Sequence, residues 1–507
     1  MNKHLSPIHS YLQSHCQQFL YLSLIIIAAA VRFWHLTSLF HWTLDEEYWS
    51  YIPFNIATGY HLPLIGGPAS GTGFYLGPFF VWLMAPIFWL VNSNPTGIAF
   101  FVSALGVVSV TLIYKLWSQI ISPRIAFLTA LFYAISTLAT IYDRKYWNAT
   151  PISLLAIISV YLVHRLQTKP STHVSLALAL ALSIAFNAHL CSAAFILFTL
   201  LSLLLFRPPR RQLQIFLLAT IILQTPLYLF ELRHRFTNLH ALTSLLFNHS
   251  QALSLNPLSA VTDIYFLTIN TFGRLLYFPA LDIARELTLC TQYAPLRTLP
   301  PLPFQLLALF VLIYAATKLR HRNLFAMLIY SNLLLLFIYR LIAPAGSWYP
   351  GILSEYYLLP SFAAFLAFSA QLASACYRRA PTATTTVVLM IVIINLYTTV
   401  NLHHSQSLDI KKQQVNQAIS LVDHQPFTLS VIGDPCQIYG YRYLFSQAGV
   451  EPVTSYLDPL FLWLYYRRLP HTAPEYQLTI NADSGTIDLA PYDQQAHQSP
   501  QDSNPQR

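Results

Sequence analysis

Phe74-Tyr-Leu-Gly-Pro-Phe-Phe-Val-Trp-Leu-Met-Ala-Pro86 is the stretch on which the topology turns. Within 74–92 the apolar run is long enough to cross a bilayer, which takes about 20 residues. Pro78 and Pro86 interrupt its helical ladder, and its Trp and Phe side chains favour the membrane interface. Whether it crosses fixes the side of every later loop. If it does not, and the N-terminus is cytoplasmic, then Lys115/Arg124, His164/Arg165/Lys169, Arg207/Arg210/Arg211, Lys318/Arg320/Arg322 and Arg378/Arg379 all fall inside. If it crosses, all of them flip outside. Short cytoplasmic loops carry the excess of Lys and Arg, so the run is read as non-crossing. By the same test 257–278, with Asp263, Asn270 and Arg274, reads as an amphipathic helix on the outer surface.

The rest of the chain supports a membrane protein. Of 507 residues, 55% are hydrophobic and only 9% charged, with a mean hydropathy of +0.49, far from a soluble globular composition. The expected spanning helices are roughly 18–37, 98–117, 124–141, 151–167, 172–189, 191–206, 213–230, 303–317, 323–342, 356–376 and 383–402, eleven in all. No cleavage pattern precedes the first, so it is read as a retained helix. The net charge of +9 is scattered through short loops, as topology requires and a nucleic-acid partner does not. The expectation is an α-helical polytopic protein of the inner (plasma) membrane. Residues 1–402 form the membrane domain, with external loops 38–97, 142–150 and 231–302. A small extracytoplasmic α/β domain follows over 403–490: a polar helix over 405–423, a buried strand over 427–432, a second helix near 437–447 and two strands over 476–490. Residues 491–507 read as a disordered tail. Five cysteines show no metal-ligand spacing, and Cys290 and Cys436 are the two that would share the oxidising side.

Charge then points to a site. Thr43-Leu-Asp-Glu-Glu-Tyr48 places three carboxylates beside hydrocarbon, where lost hydration is costly and folding does not demand them. A helix N-terminus, whose dipole welcomes acids, is the alternative, strongest for Glu47. The external loops gather Asp45, Glu46, Glu47, Asp143 and Arg144 on one membrane face.

In order and topology over 18–400, the sequence resembles the GT-C superfamily of polyprenyl-phosphate-sugar-dependent glycosyltransferases. The nearest branch is bacterial glycosyltransferase family 39, of protein O-mannosyltransferases and lipid A aminoarabinose transferases. Arg32 at the end of the first helix, Asp45-Glu46, Gly77-Pro78, Tyr142-Asp-Arg-Lys-Tyr-Trp-Asn148 and Tyr356-Tyr-Leu-Leu-Pro360 carry the resemblance. It implies transfer of a sugar, with inversion, from a lipid-phosphate donor to a lipid, glycan or protein acceptor at the external face. Asp45 is then the general base or the residue orienting the acceptor nucleophile, and Glu46 a second carboxylate holding the acceptor or a divalent cation. A lipid-monophosphate leaving group can also be stabilised by Arg alone, so metal stays optional. Arg144 is the candidate phosphate fork and Lys145 an added point charge; both also suit interfacial anchors. The chain departs from the family pattern at Asn148, where relatives often carry an acid, with Asp143 just before the Arg instead.

His189 is a candidate for the donor cavity or a satisfied core histidine. Glu355 and Tyr356 are candidates for meeting acceptor or phosphate. There is no GxxxxGK[ST], no GxGxxG after a strand, no HExxH and no Trp-Trp-Asp-Tyr-Gly block. Two rivals are an O-antigen ligase or polymerase, using Arg233, His234, Arg235 and His240, and a transporter. The latter would place charges inside its helices.

Overall fold

The computed structural model describes residues 6–69, 73–247, 257–287, 298–342, 353–435 and 437–493. Cys290, Cys436 and the tail from 494 lie outside them.

Helices stand at all eleven expected places. Five are long and apolar enough to cross a membrane: Pro95–Trp117, Leu302–Leu319, Leu324–Leu341, Glu355–Tyr377 and Pro381–Asn401. The number rises to seven if the bent pairs Pro123–Ile135 with Thr137–Arg144 and Arg210–Leu223 with Thr225–Arg233 each count as one span. The remaining four expected crossings are shorter apolar helices of 10–17 residues. The protein is thus a mostly helical, multi-pass membrane protein. Leu302–Leu319 shows why the exterior needs lipid: it buries Ala308, Val311 and Ala315 on one side and exposes Leu306, Phe310 and Ile313 on the other. The deciding run of the sequence forms the helix Phe79–Leu90, started at Pro78 and containing Pro86. Its 12 residues span about 18 Å, short of a hydrocarbon core of about 30 Å.

Two expectations change in detail. Residues 257–276 do form a helix, but its second half is buried among the helices, so it does not simply lie on a surface. The 124–141 segment is broken at Ser136, with a bend of 66°. Ser136 donates to the Leu275 carbonyl (2.8 Å), and Thr137 bonds Asn395 through both its N–H and its hydroxyl.

That break creates the central staple. A helix end leaves carbonyls without partners; Arg32 donates to those of Ala134 (3.0 Å) and Tyr133 (3.3 Å). The same guanidinium pairs with Asp143 at 2.7 Å, and the Tyr133 hydroxyl satisfies the other carboxylate oxygen. Arg144 returns the favour, donating to the carbonyls of Val31, Arg32 and Trp34 at the end of the helix Ser6–Phe33. Gly106 makes room: a Cβ there would meet Arg32 Nε at 2.6 Å and Asp143 at 2.7 Å.

After the last span, the helix Leu408–Val422, capped by Ser407, leads into a four-stranded mixed sheet. Its strands are β1 (Phe427–Ile432), β2 (Thr454–Ser455), β3 (Tyr476–Asn481) and β4 (Ile487–Pro491), in the order β2-β1-β3-β4. β1 runs parallel to β2 and β3, and β3 antiparallel to β4. Alternating Phe427, Leu429 and Val431 put the apolar face of β1 inside.

Replacing Arg32 by Leu leaves Asp143 buried without its cation. The expected cost is about 3–5 kcal/mol, read as a lower unfolding temperature of the purified chain in detergent. An unchanged transition would contradict the staple.

Candidate active site

The acidic triplet opens the helix Leu44–Ala57, and its three members have three different surroundings. Glu46 reaches back to the N–H of Thr43 (3.0 Å), as expected three residues into a capped helix. It is fully buried, and its other oxygen takes Lys145 Nζ at 2.6 Å. Asp45 lies 3.6 Å from the same ammonium and keeps 36% of its side chain exposed. Loss of bulk water raises the Asp45 pKa and the neighbouring Glu46 adds to this, while Lys145 works against it.

Glu47 belongs to neither solvent nor site. Its carboxylate accepts the backbone N–H groups of Gly440 (2.7 Å) and Tyr443 (2.8 Å), and burial pushes its pKa up to about 7. Beside it, Lys411 donates to the carbonyls of Trp42, Gln437 and Tyr439; burial brings its pKa down to about 7. Trp42 Nε1 closes the clamp on the Gly440 carbonyl. Gly440 has φ +99°, and a Cβ there would strike Trp42 at 2.7 Å. The third acid therefore docks the sheet region onto the helix that carries the first two.

Lys145 sits in the loop that follows the staple. Tyr146 donates to the Trp49 carbonyl (2.8 Å), and Thr150 bonds the Lys145 carbonyl, holding the loop on the acidic helix. The ammonium stands 4.9 Å from the Trp147 ring. Trp147 in turn packs on Tyr356 (4.9 Å) and His189 (5.9 Å), which pack on each other. The indole N–H of Trp147 is buried with no hydrogen-bond partner among the described residues. His189 Nδ1 accepts the N–H of Cys191.

Of the residues expected from sequence, Asp45, Glu46, Lys145, His189, Glu355 and Tyr356 are thus linked directly or through Trp147 and Tyr142. Glu355 accepts from the Tyr142 hydroxyl (3.3 Å), whose ring stacks on Trp147. Arg144, Asp143 and Asn148 are engaged elsewhere. Arg144 caps the first helix with Nε and Nη2, Asp143 is paired with Arg32, and Asn148 donates to the Ala188 carbonyl (2.8 Å). Arg144 Nη1 alone is left without a hydrogen-bond partner among the described residues. No group of three or more His, Cys, Asp or Glu suited to a metal occurs among the described residues. Between Asp45 and Glu46, the place a divalent cation would take is filled by the Lys145 ammonium, so the pair as arranged does not fit one.

Arg274 is the residue missed. It is buried between Glu286 (2.9 Å) and Glu355 (2.8 Å). A lone Arg in the apolar run 264–276 carries the same desolvation cost that singled out the acidic triplet. Reading the segment as a surface helix hid it. Arg233, His234, Arg235 and His240, the residues of the ligase-type rival, are exposed.

Comparison with known proteins bears directly on this arrangement. Residues 76–231 match the model of the dolichyl-phosphate-mannose-protein mannosyltransferase family. Over that segment the chain is similar to membrane glycosyltransferases of that family. The matched segment contains Lys145, Trp147 and His189. No curated protein matches the sequence. Two structures of ArnT from Cupriavidus metallidurans share the fold. The one bound to undecaprenyl phosphate has 12% identity and a TM-score of 0.53, covering 90% of this chain and 92% of that one. The apo form has 13% identity and a TM-score of 0.54, over 91% and 93%.

Glu47→Ala leaves two buried N–H groups unpaired, at about 1–3 kcal/mol each. Limited proteolysis in detergent is expected to cut the sheet region from the membrane part faster than in the unaltered chain. Equal rates would remove Glu47 from the clamp.

Proposed function

We propose that the protein transfers a sugar from a polyprenyl-phosphate-linked donor to a lipid, glycan or protein acceptor at the extracytoplasmic face of the membrane. One observation carries the reading: an exposed carboxylate, Asp45, stands beside a fully buried one, Glu46, with a single ammonium, Lys145, between them. The family match supports glycosyl transfer. ArnT in complex with undecaprenyl phosphate supports a donor of that class.

In this reading the acceptor hydroxyl gives its proton to Asp45 as its oxygen attacks the anomeric carbon. The bond from that carbon to the lipid-phosphate oxygen breaks, with inversion, and the departing phosphate takes the negative charge. Lys145 is the cation nearest the reacting carboxylates and meets the phosphate, with Arg144 adding positive charge behind it. Tyr356, packed on the buried Trp147, offers an aromatic wall for a sugar ring, and the indole N–H of Trp147, without a partner among the described residues, a hydrogen-bond donor. A raised Asp45 pKa strengthens it as a base. Residues 1–402 are the catalytic membrane domain with eleven crossings, and 403–490 an external α/β domain that selects the acceptor.

The test is reconstitution with undecaprenyl-phosphate sugars. Asp45→Asn is expected to lower transfer by about 10²–10⁴-fold, with its unfolding temperature kept; undiminished transfer would remove Asp45 from the reaction. The pH profile gives a second check. The base must be ionised, so activity falls as pH drops through the Asp45 pKa. Lys145 lowers that pKa, so Lys145→Met is expected to move the acidic limb of residual activity to higher pH. A limb moved to lower pH would contradict the contact.

A further inference from the structure

His41 and His404 take no part in the reaction above, yet both are buried beside it. His41 Nδ1 and His404 Nε2 lie 2.9 Å apart. The segment that carries His404 is threaded between two others. The Leu408 N–H donates to the Phe40 carbonyl, Ser407 pairs with His41, and His403 pairs with Asp282.

One backbone N–H decides where the protons sit. Gln406 N–H donates to His404 Nδ1 at 3.1 Å. A neutral imidazole has one donor and one acceptor nitrogen, so His404 carries its proton on Nε2, facing His41 Nδ1. His41 accepts there and carries its own proton on Nε2, 3.1 Å from Thr43 Oγ1. With that donor satisfied, the Thr43 hydroxyl turns its proton to Glu46 Oε2 at 3.2 Å. Every donor in the row points toward the carboxylate that holds Lys145.

We propose that His41 and His404 are positioning residues, acting through Thr43 to fix Glu46 as the unreactive partner of Asp45. This rests on the site proposed above. Glu46 Oε2 receives the N–H and hydroxyl of Thr43, and Oε1 receives Lys145. Held at both oxygens, Glu46 has no rotation left and no oxygen to offer. Among the described residues Asp45 has only the longer contact to Lys145, and it is left to take the proton. The row thus divides two adjacent carboxylates into one anchor and one base. Burial, with Lys145 and Lys411 nearby, holds both rings neutral. His403 faces the row from the same junction, and Glu46 from the acidic helix. A proton added at His404 Nδ1 would face the Gln406 N–H, and one added at His41 Nδ1 would face the His404 Nε2–H.

The test uses the full chain in lipid nanodiscs, with ¹⁵N-labelled histidine. His41→Phe and His404→Phe identify the two ring signals by their loss, with the Gln variants serving where Phe prevents folding. Both rings are expected to be neutral and protonated at Nε2 at pH 7; an Nδ1–H tautomer or an imidazolium at either would overturn the row. The kinetic arm uses whichever undecaprenyl-phosphate sugar the unaltered protein turns over. Thr43→Val is expected to lower kcat about tenfold or more with KM within about twofold, and Thr43→Ser to restore most of it. Thr43→Val at full kcat, or an equal loss in Thr43→Ser, would refute the positioning role. If the unaltered protein turns over none of these donors, glycosyl transfer from that class fails, while the tautomers still decide the row.

Discussion

The Lys145 ammonium, 2.6 Å from Glu46 and 3.6 Å from Asp45, is the contact on which the site depends. Two carboxylates side by side repel each other, and loss of bulk water raises the pKa of Asp45. One cation between them allows the pair to exist in charged form. Its position is set by the residues just before it. Asp143, Arg144 and Lys145 are consecutive charges with three different anchors: the Arg32 guanidinium, the carbonyl end of the first helix, and the acidic helix. The broken helix at Ser136 is what turns this run toward the acidic helix, so backbone geometry and site electrostatics are one construction.

The acidic helix is held from its other side by the sheet region. The hydrogen bonds from Glu47, Lys411 and Trp42 to the segment 437–443 all go to backbone groups, which demands a close approach and a glycine at 440. Adjacent acids are thereby sorted by what surrounds them: one partly exposed, one buried and paired with an ammonium, and one buried against peptide N–H groups. Charge buried against preorganised donors persists where an unpaired one would not.

Much of this was legible in the sequence, for identifiable reasons. Apolar runs of membrane length found the helices, the cost of burying charge singled out Asp45 and Glu46, and the family resemblance brought in Lys145 beside Arg144. Period-two burial in Phe427–Ile432 found β1. Long-range partners were not legible. Arg144 read as a phosphate fork because a fork suits phosphate, yet two of its nitrogens bond helix carbonyls 110 or more residues earlier in the chain. Glu47 read as part of the acidic site, with a dipole-capping role as the alternative, and its backbone partners some 390 residues later had no local signature. Arg274 was overlooked because periodicity distinguishes an apolar face from a polar one, and not a surface helix from one buried along half its length. Long-range pairing leaves no local pattern.

The most direct test of the central contact is a double-mutant cycle on unfolding of the purified protein with Glu46→Gln, Lys145→Met and the pair together. The expected coupling is about 1.5 kcal/mol or more, because either single change strands a buried charge that the double change removes. Additivity within about 0.5 kcal/mol would show that the two groups do not meet, and the site described here would lose its organising cation.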